Sequence, residues 1–585
     1  MRLKNVMLIG TLTTSFLLAK EVDIKIISSS DVHGRIIPWE YSGDSYVSGS
    51  FSQIDTYVSK EKKKSNNVIL VDVGDAIQDN SVEKFSKVFP NPVAKVMNVM
   101  EYDVFVPGNH EFNFGLDVLS KYTQDFKGKS LASNLFYKKD GKEFLEGSTI
   151  MEKDGIKIGF IGVTTPLITK FEADTGNVKD LEVMDSIPSI KAQVEKLKGK
   201  VDAIVLVAHM GYDNENGVPG SGVKDIANAI PEIDVILSGH AHKEVSSVIE
   251  NGVVITAPYK YGQDLSIVDL KFDTNKKSKL VSKEAKTVSL KGVENSERVD
   301  KIYAPYHEKL REEANIVIGK ATNPLVPKDK VKGIPSIYVE DTGLATFLHN
   351  VMLNYSDAQV VALSLDRDDS KWDAGEVKKK DIAYNYRYTG GEITVYEFTG
   401  KDLKNYMEWS AEYFNTLKPG DLTISFDLDK RSFKYSLYDQ FGGAQYKIDL
   451  REEKGNRIKD LKLMDGTPIT DDMKVKVGMN SYRFDMLAKK GGIFENRNIP
   501  ILWDSKTAYG KTEGTIQQLS MKYVQEKKVI DGLPDNNWEI IGLPGDKNQA
   551  IAVELINEGK IDLPKEGRAT NIRSITIEDI KKIIF

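Results

Sequence analysis

The sequence predicts an α/β domain followed by a second, α+β domain. Between Val22 and about Asp273, apolar runs of strand length alternate with amphipathic helical stretches, which is the pattern of strands buried in an α/β sheet. The chain has 585 residues and is too long for a single core, so two domains or more are expected. Polar side chains able to bind metal follow several of the predicted strands.

The first domain, placed at residues 20–325, is predicted element by element. Its buried strands are the apolar runs IKII, VILVDV, DVFV, IGFIGV, AIVLVA, DVIL and VVIT. Helices are predicted at SFSQIDTYVSKEKKK and MDSIPSIKAQVEKLKG, where apolar residues recur at helical spacing. The stretch KFDTNKKSKLVSKEAKTVSL predicts a hairpin, and a polar helix is expected in the stretch from residue 294.

The second domain is placed at residues 346–585, after a hinge or linker at 326–345. An amphipathic helix is predicted near Tyr338–Tyr355. Beyond it, EITVYEF predicts a strand, KDLKNYMEWSAEYF predicts a helix, and the turn-rich stretch from Asp421 to Val477 predicts further strands.

The first 19 residues have the pattern of a secretory signal peptide. Arg2 and Lys4 give a positive start, and an apolar stretch runs from Val6 to Ala19, where cleavage is expected. Leu17 is the third residue before the expected cleavage point, where signal peptides usually have a small residue. A buried first strand or an uncleaved anchor is therefore the alternative. No later stretch approaches the ~20 apolar residues of a membrane span. We therefore expect a periplasmic, secreted or cell-surface protein without stable membrane insertion after cleavage.

Composition narrows the classes of partner. Hydrophobic residues make up 40% and charged residues 28%, as in ordinary globular proteins. The net charge of −6 argues against a binder of duplex nucleic acid, which usually presents a basic face. Cysteine is absent, so every metal ligand must be nitrogen or oxygen. A monomer is expected.

Five short segments carry the candidate chemistry, and each follows an apolar run. They are SSSDVHG (28–34), VDVGDA (71–76), VPGNHEF (106–112), VLVAHMG (205–211) and ILSGHAH (236–242). In open α/β sheets, sites form at the carboxyl ends of strands, so these loops are expected to converge. Carboxylate, imidazole and amide oxygen are the ligand set of a two-cation hydrolytic site, in which one aspartate can bridge ions roughly 3.5–4 Å apart.

These motifs carry a resemblance to a known family. D-x-H, G-D, G-N-H-E, a lone histidine after a strand and G-H-x-H, in that order, resemble the calcineurin-like metallophosphoesterases. With the later VGMNSYRF and Gly-Gly, nearly the whole mature chain resembles the bacterial 5′-nucleotidase superfamily. The resemblance implies that the first domain is a sandwich of two mixed sheets flanked by helices.

Several segments resemble one branch, the bifunctional 2′,3′-cyclic-nucleotide 2′-phosphodiesterase/3′-nucleotidases. They are SSSDVHGRIIPWEY, GNHEFNFGLDVL, VYEFTGKDLKNYMEWSA and DNNWEI. In 5′-nucleotidases an aspartate usually stands three residues after the catalytic histidine, whereas this chain has Asn113. Asn113 either orients His110 or merely caps a loop, and an amide would not stabilise a cationic histidine as a carboxylate would.

The resemblance assigns roles to individual residues. It implies one metal held by Asp31, His33 and His242, another held by Asn109, His209 and His240, and Asp75 as the bridge. The ions would be Zn, Mn, Co or Fe. His110 is the implied catalytic residue, placed to donate a hydrogen bond to the phosphate or a proton to the leaving group. His307 and His349 lie outside the motifs and are expected to be structural.

In the superfamily, two aromatic side chains of the second domain sandwich the nucleobase. By position these resemble Tyr482 and Tyr438, with Phe441 and Tyr435 as neighbours that a register error would select. Both tyrosines have the alternative of being ordinary core residues. Asn480, Arg483 and Asp485 flank Tyr482 and are candidates for contacts with ribose or phosphate. Stacking reads no base edge, so it suits an enzyme of broad specificity.

The predicted function is a two-metal phosphoesterase that opens 2′,3′-cyclic nucleotides to 3′-nucleotides and hydrolyses these to nucleoside and phosphate. The alternative within this architecture is a 5′-nucleotidase or a nucleotide-sugar hydrolase. A non-catalytic nucleotide-binding protein is a further alternative, which an intact ligand set disfavours. A nuclease acting on polymers is disfavoured by the acidic charge balance.

Overall fold

The computed structural model describes residues 21–173, 175–276, 279–433, 436–567 and 569–584. The chain divides into two compact units, of which the first ends at Arg311 and the second begins at Glu312. The predicted signal peptide, residues 1–19, lies outside the described residues. Among the helices of the described ranges, none combines the length and the apolar character needed to cross a membrane.

The first unit is built mainly from two six-stranded sheets. Its strands are β1 (Glu21–Ser29), β2 (Trp39–Glu40), β3 (Ser45–Tyr46), β4 (Val68–Asp72), β5 (Val104–Phe105), β6 (Lys129–Ser130), β7 (Leu135–Tyr137), β8 (Ser148–Lys153), β9 (Ile156–Thr164), β10 (Leu181–Val183), β11 (Ala203–His209), β12 (Val235–Ser238), β13 (Val245–Glu250), β14 (Val253–Ala257), β15 (Asp264–Asp273) and β16 (Leu280–Ser289). The helices are α1 (Phe51–Lys64), α2 (Pro92–Met100), α3 (Leu116–Asp125), α4 (Ile168–Phe171), α5 (Ser186–Leu197), α6 (Val223–Ala229) and α7 (Glu297–Ala314). Short 3-10 helices lie at Val82–Phe85, His110–Phe112 and Glu215–Gly217.

Both large sheets are mixed and have a parallel centre. The first has the spatial order β16-β15-β1-β4-β5-β6 and the second the order β13-β14-β12-β11-β9-β8. The strands from β1 to β6 in the first sheet run parallel, as do β14, β12, β11 and β9 in the second. Antiparallel strands complete the edges. The loops that carry the five motif segments begin at the carboxyl ends of these parallel strands.

The two sheets pack face to face. Ile24 and Ile26 of β1 share one buried core with Phe160 of β9 and Val205 of β11. Alternate residues of β1 point to this core because successive strand side chains face opposite sides of a sheet. The outer faces are covered by helices, with α1 and α2 on the first sheet and α5 and α6 on the second. This confirms the predicted sandwich of mixed sheets flanked by helices.

The second unit is α+β, as predicted. Its strands are β17 (Val317–Ala321), β18 (Val360–Ser364), β19 (Gly375–Lys378), β20 (Thr394–Thr399), β21 (Asp439–Gly442), β22 (Ala444–Asp449), β23 (Ile458–Leu463), β24 (Lys474–Met479), β25 (Ile501–Asp504), β26 (Val529–Ile530), β27 (Trp538–Ile541), β28 (Lys565–Glu566) and β29 (Ala569–Thr570). Its helices are α8 (Ser336–Val339), α9 (Gly343–Asn354), α10 (Lys379–Asn385), α11 (Gly400–Ala411), α12 (Leu428–Ser432), α13 (Ser481–Ala488), α14 (Ser505–Tyr509), α15 (Ile516–Lys527), α16 (Lys547–Asn557) and α17 (Ile577–Ile584). A five-stranded sheet, β21-β18-β24-β20-β25, lies at its centre.

The boundary between the units falls earlier than the sequence predicts. It lies at Arg311 and Glu312, within α7, whereas the sequence predicts a hinge at 326–345. Ile337 and Leu344, from that predicted hinge, are buried in the core of the second unit. The segment therefore belongs to the second unit, because its apolar side chains pack there rather than lying in an exposed linker.

Candidate active site

The candidate ligands all lie at the carboxyl ends of parallel strands. Asp31 and His33 follow β1, Asp75 follows β4, Asn109 follows β5, His209 ends β11, and His240 and His242 follow β12. The first sheet thus supplies four of these residues and the second sheet three. Loops far apart in sequence are brought together because the two sheets pack with these strand ends at one edge.

One group of ligand atoms belongs to Asp31, His33, Asp75 and His242. One donor atom from each lies within 4.8 Å of every other, and three of the four side chains are buried. Nε2 of His33 lies 2.9 Å from Nε2 of His242, which in turn lies 3.4 Å from Oδ1 of Asp31. Oδ2 of Asp75 lies 3.9 Å from Nε2 of His33.

A second group is formed by Asp75, His209 and His240, again within 4.8 Å of one another. Oδ2 of Asp75 lies 3.1 Å from Nε2 of His209. Oδ1 of Asn109 lies 3.3 Å from the same nitrogen. The carboxylate of Asp75 therefore takes part in both groups, which is the position that a bridging ligand requires.

The donor atoms fit divalent cations. Oδ1 of Asp31 is buried and has no hydrogen-bond partner among the described residues, although a buried carboxylate oxygen normally has one. Burial lowers the pKa of His33 to about 4 and keeps the imidazole neutral, as a ligand must be. Burial also opposes the charge of His209, but the Asp75 carboxylate outweighs it and raises that pKa to about 10. In the absence of a metal ion, a proton on His209 thus supplies the positive charge that a bound cation would supply beside Asp75.

Neighbouring groups fix which imidazole nitrogen faces the cluster. Nδ1 of His209 donates to the carbonyl oxygen of Val73 at 2.7 Å, so Nε2 is left for a metal. Nε2 of His240 lies 2.8 Å from Oε2 of Glu215, which leaves Nδ1 for the second group. Glu215 could not be predicted from the motifs, because it lies outside them, six residues after His209, and only the fold brings it to His240.

Glu111 was also missed, although it lies within the G-N-H-E motif. Its fully buried carboxylate accepts backbone N–H groups from Asp75 and Ala76 at 2.8 Å each, and from Gly108 at 2.6 Å. It therefore ties the loop after β4 to the loop after β5. Burial, with the Asp75 carboxylate nearby, raises the pKa of Glu111.

The ligand loops have unusual backbone geometry. Asp31, His33, Asp75, His240 and His242 all have positive φ, between 48° and 68°. Residues other than glycine rarely adopt this conformation, although Asp and His do so more often than most, and each instance costs roughly 1–3 kcal/mol. Such strain at a cluster of polar residues is typical of a functional site.

A glycine in the G-H-x-H motif allows two ligand loops to approach closely. A Cβ atom at Gly239 would lie 2.0 Å from Oγ of Ser30 and 2.9 Å from Oδ2 of Asp31. Oδ2 of Asp31 accepts hydrogen bonds from Ser30 and from the backbone N–H of His240 at 2.9 Å. These contacts fix Asp31 with Oδ1 towards the cluster.

His110 lies beside the cluster and is held by Asn113. Its ring centroid is 5.4 Å from that of His33, and its backbone N–H donates to Oδ1 of Asp75 at 2.8 Å. Nδ1 of His110 lies 2.8 Å from Oδ1 of Asn113. The structure therefore places Asn113 where it can orient His110. His307 and His349 have other partners, the hydroxyl of Tyr41 and the carbonyl of Gln440.

The two tyrosines proposed to stack on a base differ in their exposure to solvent. Tyr482, in the first turn of α13, is 54% exposed. Tyr438 is 1% exposed, lies against Tyr413 with nearly parallel rings 5.4 Å apart, and has no face to offer a base. Its neighbour Phe441 is equally buried, and Tyr435 lies outside the described residues. Tyr438 immediately precedes the fully buried strand β21, and its ring belongs to the core of the second unit.

Another exposed aromatic residue, Tyr388, lies close to Asn480, the residue that caps α13. Tyr388 is 50% exposed and precedes Gly390–Gly391. A Cβ at Gly391 would lie 2.7 Å from the Tyr388 ring and 2.8 Å from Nδ2 of Asn480, the residue that caps α13. Tyr388 and Asn480 thus both lie beside Gly391, and Tyr482 follows Asn480 in the first turn of α13. The sequence feature that could have indicated Tyr388 is an aromatic residue shortly before Gly-Gly in YRYTGG.

Comparison with known proteins matches both units to described families. Residues 24–244 match the model of the calcineurin-like phosphoesterases. Residues 317–492 match the model of the 5′-nucleotidase C-terminal domain. The first match covers every candidate metal ligand, and the second covers Tyr388 and Tyr482.

Two bacterial proteins are among the relatives that are similar to most of this chain. The trifunctional nucleotide phosphoesterase protein YfkN of Bacillus subtilis is 25% identical over 90% of this chain, which spans only 39% of that protein's length. The 2′,3′-cyclic-nucleotide 2′-phosphodiesterase/3′-nucleotidase of Haemophilus influenzae is 24% identical over 91% of this chain and 90% of its own length.

The fold is also that of a solved structure. A Staphylococcus aureus protein assigned as a 5′-nucleotidase matches 89% of this chain and all of its own, with a TM-score of 0.70 and 19% identity. At this identity the likeness concerns the fold alone. The two family matches show that a calcineurin-like phosphoesterase domain at residues 24–244 precedes a 5′-nucleotidase C-terminal domain at residues 317–492 of this chain.

Proposed function

We propose that this protein hydrolyses 2′,3′-cyclic nucleotides to 3′-nucleotides and then to nucleoside and phosphate. The observation that carries the proposal is the contact of His110 with the amide of Asn113, because the 5′-nucleotidase branch usually has an aspartate at this position. The full-length similarity to a protein named for these two activities supports it. The action would take place in the periplasm or outside the cell, if the first 19 residues act as a signal peptide.

The proposed reaction has two hydrolytic steps. In the first, water attacks phosphorus, the bond from phosphorus to the 2′ oxygen breaks, and that oxygen takes up a proton. In the second, water attacks again and the bond to the 3′ oxygen breaks, which releases phosphate. Two divalent cations held by the seven ligands would lower the pKa of the attacking water and neutralise charge on the phosphate.

The protein's own residues supply orientation and base binding. Asp75, with Oδ1 held by the backbone N–H of His110, keeps Oδ2 directed at both ligand groups. His110 would contact a phosphate oxygen or the leaving oxygen. Tyr482 and Tyr388 would stack on the nucleobase, which gives affinity without reading a base edge.

A substrate panel tests the proposal. Metal-depleted enzyme is reconstituted with Zn, Mn, Co or Fe singly and assayed on 2′,3′-cyclic, 3′- and 5′-nucleotides of one base. We expect the highest kcat/KM on the cyclic and 3′ substrates, with phosphate released from both. An Asp75→Asn preparation serves as the control for contaminating phosphatases. Preference for 5′-nucleotides would instead favour a 5′-nucleotidase or nucleotide-sugar hydrolase of the same architecture.

A further inference from the structure

A buried carboxylate lies behind the contact of His110 with Asn113. Glu172 follows α4 and is buried, and its Oε1 accepts a hydrogen bond from Nδ2 of Asn113 at 2.5 Å. No sequence pattern connects Glu172 with His110, since 62 positions separate them. The three side chains form a continuous hydrogen-bonded row from the imidazole to the carboxylate.

Glu172 is itself firmly held. Its Oε2 accepts hydrogen bonds from Oγ1 of Thr175 at 2.5 Å and from Nδ2 of Asn177 at 3.0 Å. Nδ2 of Asn177 also donates to the backbone carbonyl of Asn113 at 2.9 Å. The loop of Glu172 is therefore fastened to the backbone of Asn113 as well as to its side chain.

This arrangement determines which way the Asn113 amide points. An ionised carboxylate can only accept hydrogen bonds, so the amide must present its NH₂ group to Glu172 and its oxygen to His110. An amide oxygen can only accept, so the hydrogen of the second bond must lie on Nδ1 of His110. The other ring nitrogen, Nε2, is thereby left for the substrate. The carboxylate also polarises the amide and strengthens its oxygen as an acceptor.

We propose that Glu172 is a positioning residue that acts through Asn113 to hold the His110 ring with Nδ1–H bonded and Nε2 available to the phosphate. The pair Asn113 and Glu172 would thus perform the orienting work that a single aspartate beside the histidine performs elsewhere. The proposal builds on the role given to His110 and does not depend on which nucleotide is the natural substrate.

The test is a set of four variants in the full-length, zinc-loaded protein. In Glu172→Ala the amide loses its partner. In Asn113→Asp two carboxylates face each other. In the double variant Asn113→Asp with Glu172→Gln, the new aspartate accepts from Nδ1 directly and the glutamine amide donates to it. Glu182→Gln, at an exposed position of β10, is the matched control.

Turnover is measured on phenyl phosphate, which has no base and a poor leaving group. We expect kcat to fall roughly 10- to 100-fold in Glu172→Ala and in Asn113→Asp, while KM and metal content stay unchanged. The double variant should recover most of this loss, and Glu182→Gln should match the parent. Because no nucleotide is used, an incorrect assignment of the nucleotide substrate would leave these results intact.

A spectroscopic readout separates positioning from a general structural effect. With ¹⁵N-labelled histidine, the Nδ1–H proton of His110, assigned by its absence in His110→Ala, should be visible in the parent and the double variant. It should be lost to solvent exchange in Glu172→Ala. The proposal fails if Glu172→Ala keeps the kcat of the parent. If that variant does not fold, it fails when the double variant is no more active than Asn113→Asp alone.

Discussion

Asp75 is the side chain on which both groups of candidate ligands depend. Replacing its carboxylate by an amide in Asp75→Asn keeps the volume but removes the charge shared by the two groups. We expect loss of most bound metal and a fall in turnover of roughly 10³-fold, since metal assistance is worth several kcal/mol. Elemental analysis and circular dichroism check the metal content and the fold, with Asp140→Asn on the surface as control. A variant that keeps two metals and near-normal turnover would refute the bridging role.

His110 touches the cluster without belonging to either group of ligands. His110→Ala should therefore retain both metals and lose roughly 10²–10⁴-fold in turnover, the usual scale of general acid–base assistance. The measurement is kcat together with metal content on the same preparation. If metal content falls in parallel with rate, His110 is a ligand and the division of roles is incorrect.

Tyr482 and Tyr388 are expected to act on base binding alone. Removing one stacking face in Tyr482→Ala or Tyr388→Ala should cost roughly 1–3 kcal/mol of affinity, seen as a raised KM for nucleotides. A base-free nitrophenyl phosphate ester should be hydrolysed almost as by the parent. Tyr438→Phe is the control, because that ring lies in the core. Equal damage to both substrates would mean that the exposed tyrosines have a structural role.

At the scale of residues, the sequence predicted which side chains cluster better than which side chains support them. Asp31, Asp75 and His242 stand in short motifs whose residue types suit metals, so local sequence was sufficient to predict that they come together. Glu172 and Glu215 reach their partners only through long-range packing, which no spacing reveals. The burial of Tyr438 was not predictable, because a tyrosine next to a strand has the same sequence pattern whether its ring is covered or open.

At the scale of elements, Glu111 governs how the loops after β4 and β5 meet. In Glu111→Gln one oxygen becomes an NH₂ group that faces backbone donors, so buried N–H groups lose their acceptor. We expect a loss of roughly 1–3 kcal/mol in the free energy of unfolding and weaker metal binding. Denaturant unfolding and metal titration measure both, with Glu152→Gln at an exposed position of β8 as control. An unchanged metal affinity would show that the two loops hold their geometry without this carboxylate.

Most elements were predictable because their periodicity is strong. Helices α1, α5 and α11 and the antiparallel pair of β15 and β16 lie where the patterns place them. The stretch near Tyr338–Tyr355 was predicted as one helix but forms two, α8 and α9. Oγ1 of Thr342 accepts the backbone N–H of Ala345 and begins a new helix there. A cap of this kind competes with continuation of the helix and overrides the apolar spacing.

At the scale of the whole molecule, Glu83 makes stability depend on pH. Burial, and secondarily Asp79, raises the pKa of Glu83 from its ordinary 4.5 to about 7, and Oε2 has no partner among the described residues. The folded protein therefore binds this proton more tightly than the unfolded chain. The resulting stability is fully present below about pH 4.5 and is lost as pH rises through about 7.

Glu83→Gln should remove this dependence. Relative to the parent, we expect a gain on the order of 1–3 kcal/mol at pH 8 and little change at pH 4.5. Thermal or denaturant unfolding of metal-free protein across this range is the measurement, and Glu232→Gln on the surface is the control. If the free energy of unfolding varies with pH in the same way in the parent and in Glu83→Gln, ionisation of Glu83 does not destabilise the folded protein.

The meeting of ligands from both sheets has a consequence for a chain that contains no cysteine. His33 and His242 are 209 residues apart in sequence, yet their Nε2 atoms lie 2.9 Å apart. Cations bound there would cross-link the two layers of the sandwich and close a very long loop of the chain, as a disulfide does in many exported proteins. Removing the cations with a chelator would then destabilise this protein as reduction destabilises a disulfide-bonded one, and the two sheets would separate first at the edge that carries the candidate active site.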